Sequence, residues 1–258
     1  MKEPNGRVGS FPNRRDICEV GRRIYQRGYV AANDGNISAR IGADRILCTP
    51  TGVSKGFLTE EMLAVCDMAG KQVSGPLEIS SEIRMHLEIY QLRTDINAVV
   101  HAHPPTATGF AVAGIELTQC VLPEVIVNLG AIPLAPYGTP GGAAIVEPMK
   151  PLLKDHDAVL MANHGAVTLG RDVLDAHFKM ETVEHFAQIA LVAHQLNSVN
   201  TLNVRQVDQL RQRFGLKNHP SCAVEVGNAG PMDRPNAAEE LLIEEIVQEV
   251  LNTIGQKE

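Results

Sequence analysis

Residues 97–105 read NAVVHAHPP: a short apolar run that ends in two histidines one residue apart and is then stopped by two prolines. A run this short is strand length, not helix length. Successive side chains of a strand leave opposite faces, so His101 and His103 leave the same face at one strand end. The run DAVLMANHG repeats the arrangement, with His164 following an apolar strand and Gly165 allowing a tight turn. Short strands with polar ends, alternating with helical stretches, predict one layered α/β domain of about 200 residues.

The remaining periodicities agree. Ile17, Val20, Ile24 and Tyr25 share one helical face within residues 13–28. The segment NDGNISARIGADRILCTP alternates and breaks at 42–44, which predicts a hairpin, and LAVCDM adds a third strand. A helix is expected over 80–92, capped by Ser81 with Glu82 in its first turn. Pro104 opens another through Val112. AIPLAPY is extended, GGAAIVEPMKPLLKDH is helical but interrupted by prolines, DAVLMANHG and AVTLG flank a polar turn, and residues 172–197 form a long amphipathic helix.

Composition narrows the function. Lys and Arg number 23 against 30 Asp and Glu, a net charge of −7, which disfavours a nucleic-acid binder. No apolar run approaches the roughly 20 residues of a membrane span, and MKEPNGRVGS has no apolar signal core. These features predict a soluble, cytoplasmic chain with neither membrane nor nucleic acid as partner. The five cysteines, Cys18, Cys48, Cys66, Cys120 and Cys222, are odd in number and include no CxxC pair. They are expected as free thiols.

After residue 216 the composition shifts. Residues 217–235 are rich in Gly, Pro and Asn and read as a flexible linker behind a domain spanning 1–216. Residues 236–258 predict an amphipathic helix, with Asn236 and Glu239 as a capping box and Leu242, Ile243, Ile246, Val247, Val250, Leu251 and Ile254 in one stripe. A lone tethered helix cannot bury that stripe. It must pack on its own domain, join an oligomer or bind another protein.

Three neutral imidazoles around an open position are a ligand set of catalytic zinc, although imidazole suits other divalent ions too. His101, His103 and His164 are the candidate metal ligands. The helical histidines His86, His177, His185 and His194 read as packed or solvated. Gly35-Asn36-Ile37-Ser38, Thr51-Gly52 and Ser80-Ser81 are small polar segments at element ends. Their amides and hydroxyls can cradle a phosphate, with Lys55 adding charge, and the same residues also serve as ordinary caps and turns. Glu82, directly after the serines, is either a favourable first-turn charge or a general acid/base and fourth metal ligand.

Taken in order, DGNISAR, TPTGVSKG, SSEIRMH, NAVVHAHPP, LAPYGTPG and VLMANHGAVTLG resemble the class II aldolase/adducin family over roughly residues 13–197. The resemblance implies a three-layer α/β/α sandwich with a central, mainly antiparallel sheet, and a homotetramer with sites between subunits. It implies Zn2+ on His101, His103 and His164, with Glu82 as resting fourth ligand and acid/base. Asn36, Thr51, Gly52, Ser80 and Ser81 match the family's phosphate positions. The implied reaction is cleavage of a deoxyketose 1-phosphate, of the L-fuculose 1-phosphate or L-rhamnulose 1-phosphate type, to dihydroxyacetone phosphate and lactaldehyde. Epimerases of the family carry aspartate where Glu82 stands, and adducin-like scaffolds have lost the histidines. The stretch VLPEVIVNLG lacks the family aldolases' tyrosine, but its Glu124 matches an acid/base of methylthioribulose-1-phosphate dehydratases. Glu124 is therefore a second candidate acid/base. Sugar-acid phosphate decarboxylases share the metal set. The C-terminal helix resembles an encapsulation peptide, which implies a microcompartment shell protein as partner of residues 236–254 and a bacterial microcompartment as location.

Overall fold

A computed structural model describes residues 14–216 and residue 222. The expected linker and C-terminal helix lie outside the described residues. Helix α1 (Arg14–Gln26) leads into strands β1 (Asn36–Arg40), β2 (Arg45–Cys48), β3 (Ala64–Asp67) and β4 (Gln72–Ser74). Helix α2 (Ile83–Leu92), strand β5 (Ala98–Ala102), helices α3 (Pro105–Ala113) and α4 (Pro123–Asn128), and strand β6 (Leu134–Ala135) follow. Helix α5 (Lys150–Leu153), strands β7 (Ala158–Met161) and β8 (Gly165–Gly170), and helices α6 (Val173–Gln195) and α7 (Val204–Phe214) complete the order.

The eight strands form one sheet in the order β4-β3-β2-β1-β5-β8-β7-β6. Every neighbouring pair is antiparallel except β6 with β7. Alternation along β5 divides the core. Ala98, Val100 and Ala102 join Ile17, Val20 and Ile24 of α1, Phe110 of α3, and Met180, Val183 and Phe186 of α6. Val99 turns the other way, into a second core with Met85 and Ile89 of α2, Leu153 of α5, and Val159, Val167 and Leu169. Helices thus cover both faces, the expected three layers, and no described helix is long and apolar enough to cross a membrane.

Two polar groups bind α6 to the sheet and to α3. Thr168 Oγ1 donates to the Ala176 carbonyl at 2.8 Å. Glu184, 1% exposed, accepts from the amides of Thr106 and Ala107 at 3.0 and 2.8 Å. Pro105 has no N–H, so this carboxylate supplies the acceptor that the first free amides of α3 need.

Two expectations need correction. The helix after Ser80 begins at Ile83, with Glu82 at its cap position and no side-chain cap from Ser81. The Ser80 hydroxyl instead accepts from the Glu82 amide at 3.3 Å, and this turn redirects Glu82 away from the helix's first turn. The cysteines are not all free. Cys120 and Cys222, 102 residues apart, are joined by a disulfide with a Cα–Cα distance of 5.2 Å, while Cys18, Cys48 and Cys66 are buried thiols. Both half-cystines sit in a small apolar cluster with Ile126 and Val207, formed where α4 packs on α7. A bridge that depends on such remote packing leaves no spacing signature. Closing so long a loop restricts the unfolded chain, so Cys120→Ser is expected to lower stability by about 2–4 kcal/mol in urea unfolding. Non-reducing peptide mapping of the wild type checks the bridge itself.

Candidate metal centre and anion cleft

Sheet register assembles the imidazoles. Asn36 of β1 faces His101 of β5, and Ala102 of β5 faces Ala166 of β8. His164 lies in the turn from β7 to β8, where Asn163 adopts φ 56°, a left-handed conformation that short polar side chains tolerate. A Cβ on Gly165 would stand 2.5 Å from the Ala102 carbonyl oxygen and 2.6 Å from His103 Cδ2. Only glycine lets this turn press against the HxH strand end. Gly35 plays the same part on the other side, with φ +71° and a virtual Cβ 2.8 Å from the His101 carbonyl oxygen.

The ligand atoms of His101, His103 and His164 all lie within 4.8 Å of one another. His101 Nδ1 donates to the Ala166 carbonyl at 2.9 Å, which leaves the Nε2 lone pair facing the cluster. That Nε2 is 3.2 Å from His103 Nε2 and 3.6 Å from Glu82 Oε2. Glu82 Oε1 is 3.4 Å from His164 Nε2. Burial pushes His101 well below the usual histidine range, and the neighbouring His103 and His164 push the same way. Burial lowers His164 as well, against the pull of Glu82. Neutral imidazoles with converging lone pairs, bridged by one carboxylate, fit a divalent cation.

Glu82 is aimed by its surroundings. Asn36 Nδ2 donates to Glu82 Oε2 at 2.6 Å. Below it, Ser38 Oγ meets His86 Nδ1 at 2.6 Å and the Tyr90 hydroxyl at 2.9 Å, and the Arg40 guanidinium lies 4.8 Å from the Tyr90 ring centroid. Asn36, Ser38 and Arg40 share one face of β1. Glu82, His86 and Tyr90 recur every fourth residue along α2. The two rows interlock as a buried polar ladder with Glu82 at its open end. Ser38, expected from sequence in a phosphate-cradling segment, is buried in this ladder and does not line the cleft, while Tyr90 and Asp34, whose Oδ2 is 3.5 Å from His103 Nδ1, carry no signal of their own that marks them as site residues in the sequence. The i, i+4, i+8 spacing of Glu82, His86 and Tyr90 is the signal that could have found the ladder.

A cleft of about 340 Å³ opens beside the imidazoles, lined by Asn36, Thr51, Lys55, Ser80, Ser81 and Glu82 among others. An isolated bridge between Pro50 and Ile79 brings the Thr51 and Ser80 segments side by side. The Thr51 amide is already bonded to the Glu78 carbonyl at 2.9 Å, so its hydroxyl is what remains for a ligand. Gly52, at φ +70°, is exposed in the same turn and is not among the lining residues. Glu124 is not brought to this cleft within one chain. It lines a separate cavity of about 870 Å³ with Arg27, Tyr29, Phe178, Glu181 and His185. His86 and His177 are buried, as expected of packed histidines.

The fold and site define a layered α/β protein whose three converging imidazoles could hold a divalent cation beside a polar cleft. Residues 15–191 match the family described as "Class II Aldolase and Adducin N-terminal domain", and the chain belongs to that family. It is 36% identical over 181 residues to an L-fuculose phosphate aldolase of Methanococcus maripaludis, covering 70% of this chain and 97% of the relative. It is also 32% identical over 201 residues to a 3-oxo-tetronate 4-phosphate decarboxylase of Haemophilus influenzae, covering 76% and 95% respectively. Among solved structures, an L-fuculose 1-phosphate aldolase superposes with a TM-score of 0.73 at 26% identity, covering 82% of this chain and all of the other. The chain is accordingly a class II aldolase-type enzyme, a carbon–carbon lyase.

Two measurements probe the site's construction. Gly165→Ala forces a Cβ onto backbone and is expected to cost about 1–3 kcal/mol in denaturant unfolding and to lower the bound metal per chain. Burial pushes His86 down to about 3, with neighbouring His101 adding to the effect. The unfolded chain therefore takes up this proton first as pH falls through about 6.5, and stability present above that pH is lost on acidification. In His86→Gln the drop in unfolding free energy from pH 7 to pH 5 should shrink by about 2 kcal/mol.

Proposed function

We propose that this enzyme cleaves a deoxyketose 1-phosphate between carbons 3 and 4, with L-fuculose 1-phosphate or L-rhamnulose 1-phosphate as the substrate type. The products are dihydroxyacetone phosphate and lactaldehyde. The observation that carries this reading is the position of Glu82, whose two oxygens reach His101 and His164 while Asn36 holds the carboxylate at the cleft. His101, His103 and His164 hold the metal, with Glu82 as the fourth ligand at rest. A divalent ion there, zinc in this reading, supplies Lewis-acid polarisation of the sugar's carbonyl and hydroxyl oxygens. Thr51, Ser80, Ser81 and Asn36, in the turn shaped by Gly52, hold the phosphate and fix which carbon meets Glu82. The proton lost from the carbon-4 hydroxyl as the carbon 3–carbon 4 bond breaks is balanced by the one that the Glu82 carboxyl delivers to carbon 3, and in condensation the Glu82 carboxylate removes that proton again.

The decarboxylase relative supports a second reading. Loss of carbon dioxide from a 3-oxo-tetronate 4-phosphate breaks the bond next to the carbon alpha to the ketone. It leaves the same three-carbon phosphorylated fragment, so one site chemistry serves both. A methylthioribulose-1-phosphate type dehydratase would draw on Glu124, which lines the other cavity within one chain. An adducin-like scaffold has no use for the retained metal donors.

Incubation with both ketose 1-phosphates, assayed for dihydroxyacetone phosphate and aldehyde, tests the aldolase. Product formation should stop on chelation and return with zinc, and Glu82→Gln should keep the metal while losing roughly 100- to 10,000-fold in turnover. Carbon dioxide release from the oxo-tetronate without aldehyde from either ketose would favour the decarboxylase. We further propose a homotetramer, and a shell protein of a bacterial microcompartment as partner of residues 236–254, a reading supported by the apolar stripe there. Deleting 236–258 should then preserve turnover and abolish co-sedimentation with shell protein.

A further inference from the structure

Lys55 is 1% exposed, yet it lines the cleft. It is the only Lys or Arg among the described lining residues, which also include the carboxylates Asp34 and Glu82. Its Nζ donates to the carbonyl oxygens of Asn33 and Val53, both at 2.8 Å. An ammonium carries three N–H groups, so one remains. The two carbonyls belong to the loops bearing Gly35-Asn36 and Thr51-Gly52, and the amine sits at their junction.

Among the described residues no carboxylate lies within ion-pair distance of Lys55. Two neutral carbonyls only partly repay the desolvation of an ammonium, and such a charge gains most from an anionic ligand. Apart from a cation held by the imidazoles, Lys55 brings the one formal positive side-chain charge among the described lining residues to a cleft that also holds Asp34 and Glu82.

We propose that Lys55 is the charge-selecting residue of the cleft, its third N–H donating to a non-bridging oxygen of a phosphomonoester dianion. The two carbonyl bonds fix the amine's position, so the contact requires no reordering of a long side chain. The proposal deepens the phosphate role given to the cleft above and rests on it. It does not depend on which carbon–carbon bond is cleaved.

Calorimetric titration of the full-length, metal-loaded protein with glycerol 3-phosphate, a phosphomonoester with no carbonyl to cleave, provides the test, with glycerol as the uncharged control. Lys55→Met should weaken glycerol 3-phosphate binding at least tenfold, with unchanged metal content and unchanged amide-exchange protection in residues 33–36 and 51–55. Lys55→Gln serves if the methionine variant does not fold. Wild-type affinity in the variant would overturn the proposal. So would a loss of binding accompanied by loss of protection in those two loops, which would make Lys55 a loop brace. Wild-type protein that does not bind glycerol 3-phosphate would overturn the phosphate role of the cleft together with Lys55. Binding that depends on Lys55, without cleavage of either ketose phosphate, would uphold Lys55 and count against the aldolase alone.

Discussion

Three imidazoles crowded together without a cation repel one another once protonated and gain nothing from proximity while neutral. The surrounding structure aims all three, and burial favours the neutral form of His101 and His164. His101 is sealed in the sheet and locked by the Ala166 carbonyl. His164 is brought in by a turn that tolerates no side chain at Gly165. His103 stands where the strand ends and α3 begins, and Glu184 of α6, in the same layer as α3, anchors the amides that follow. Preorganisation of this kind takes its cost at folding, so a cation meets donors already in place.

Glu82 shows how a local rule yields to a tertiary one. A glutamate after two serines at a helix start reads as a first-turn charge. The chain instead tightens at Ser80, the helix starts only at Ile83, and the carboxylate faces Asn36 and the imidazoles. The polar ladder behind it then occupies the space between β1 and α2 that apolar side chains fill elsewhere. A buried row of this kind is costly when broken, because each lost partner strands another.

Much of this was legible in the sequence because the relevant signals are short-range. Strand alternation placed His101 and His103 on one face, and the strand–turn–strand pattern placed His164. The ordered motifs carried the family. The Cys120–Cys222 bridge was illegible because it depends on α4 meeting α7 across 102 residues. Asp34 beside His103, and the amine of Lys55 between two loops, depend on how loops fold over one another, which periodicity does not encode. Helix α7 had a readable start in Asn203 and Gln206, a full capping box, but stood next to a stretch dominated by Gly, Pro and Asn.

The β1–β5 seam divides the labour of the site along the chain. Every candidate metal donor lies at or after Glu82, while of the candidate phosphate residues Asn36, Thr51 and Lys55 come before β4 and Ser80 and Ser81 after it. The pairing of β1 with β5, the short Pro50–Ile79 bridge and the Asn36–Glu82 hydrogen bond stitch these parts of the site together. Residues 51 to 55 of the cleft can thus change without altering a candidate metal donor, whereas Asn36 and Ser80 are tied to Glu82 by hydrogen bonds.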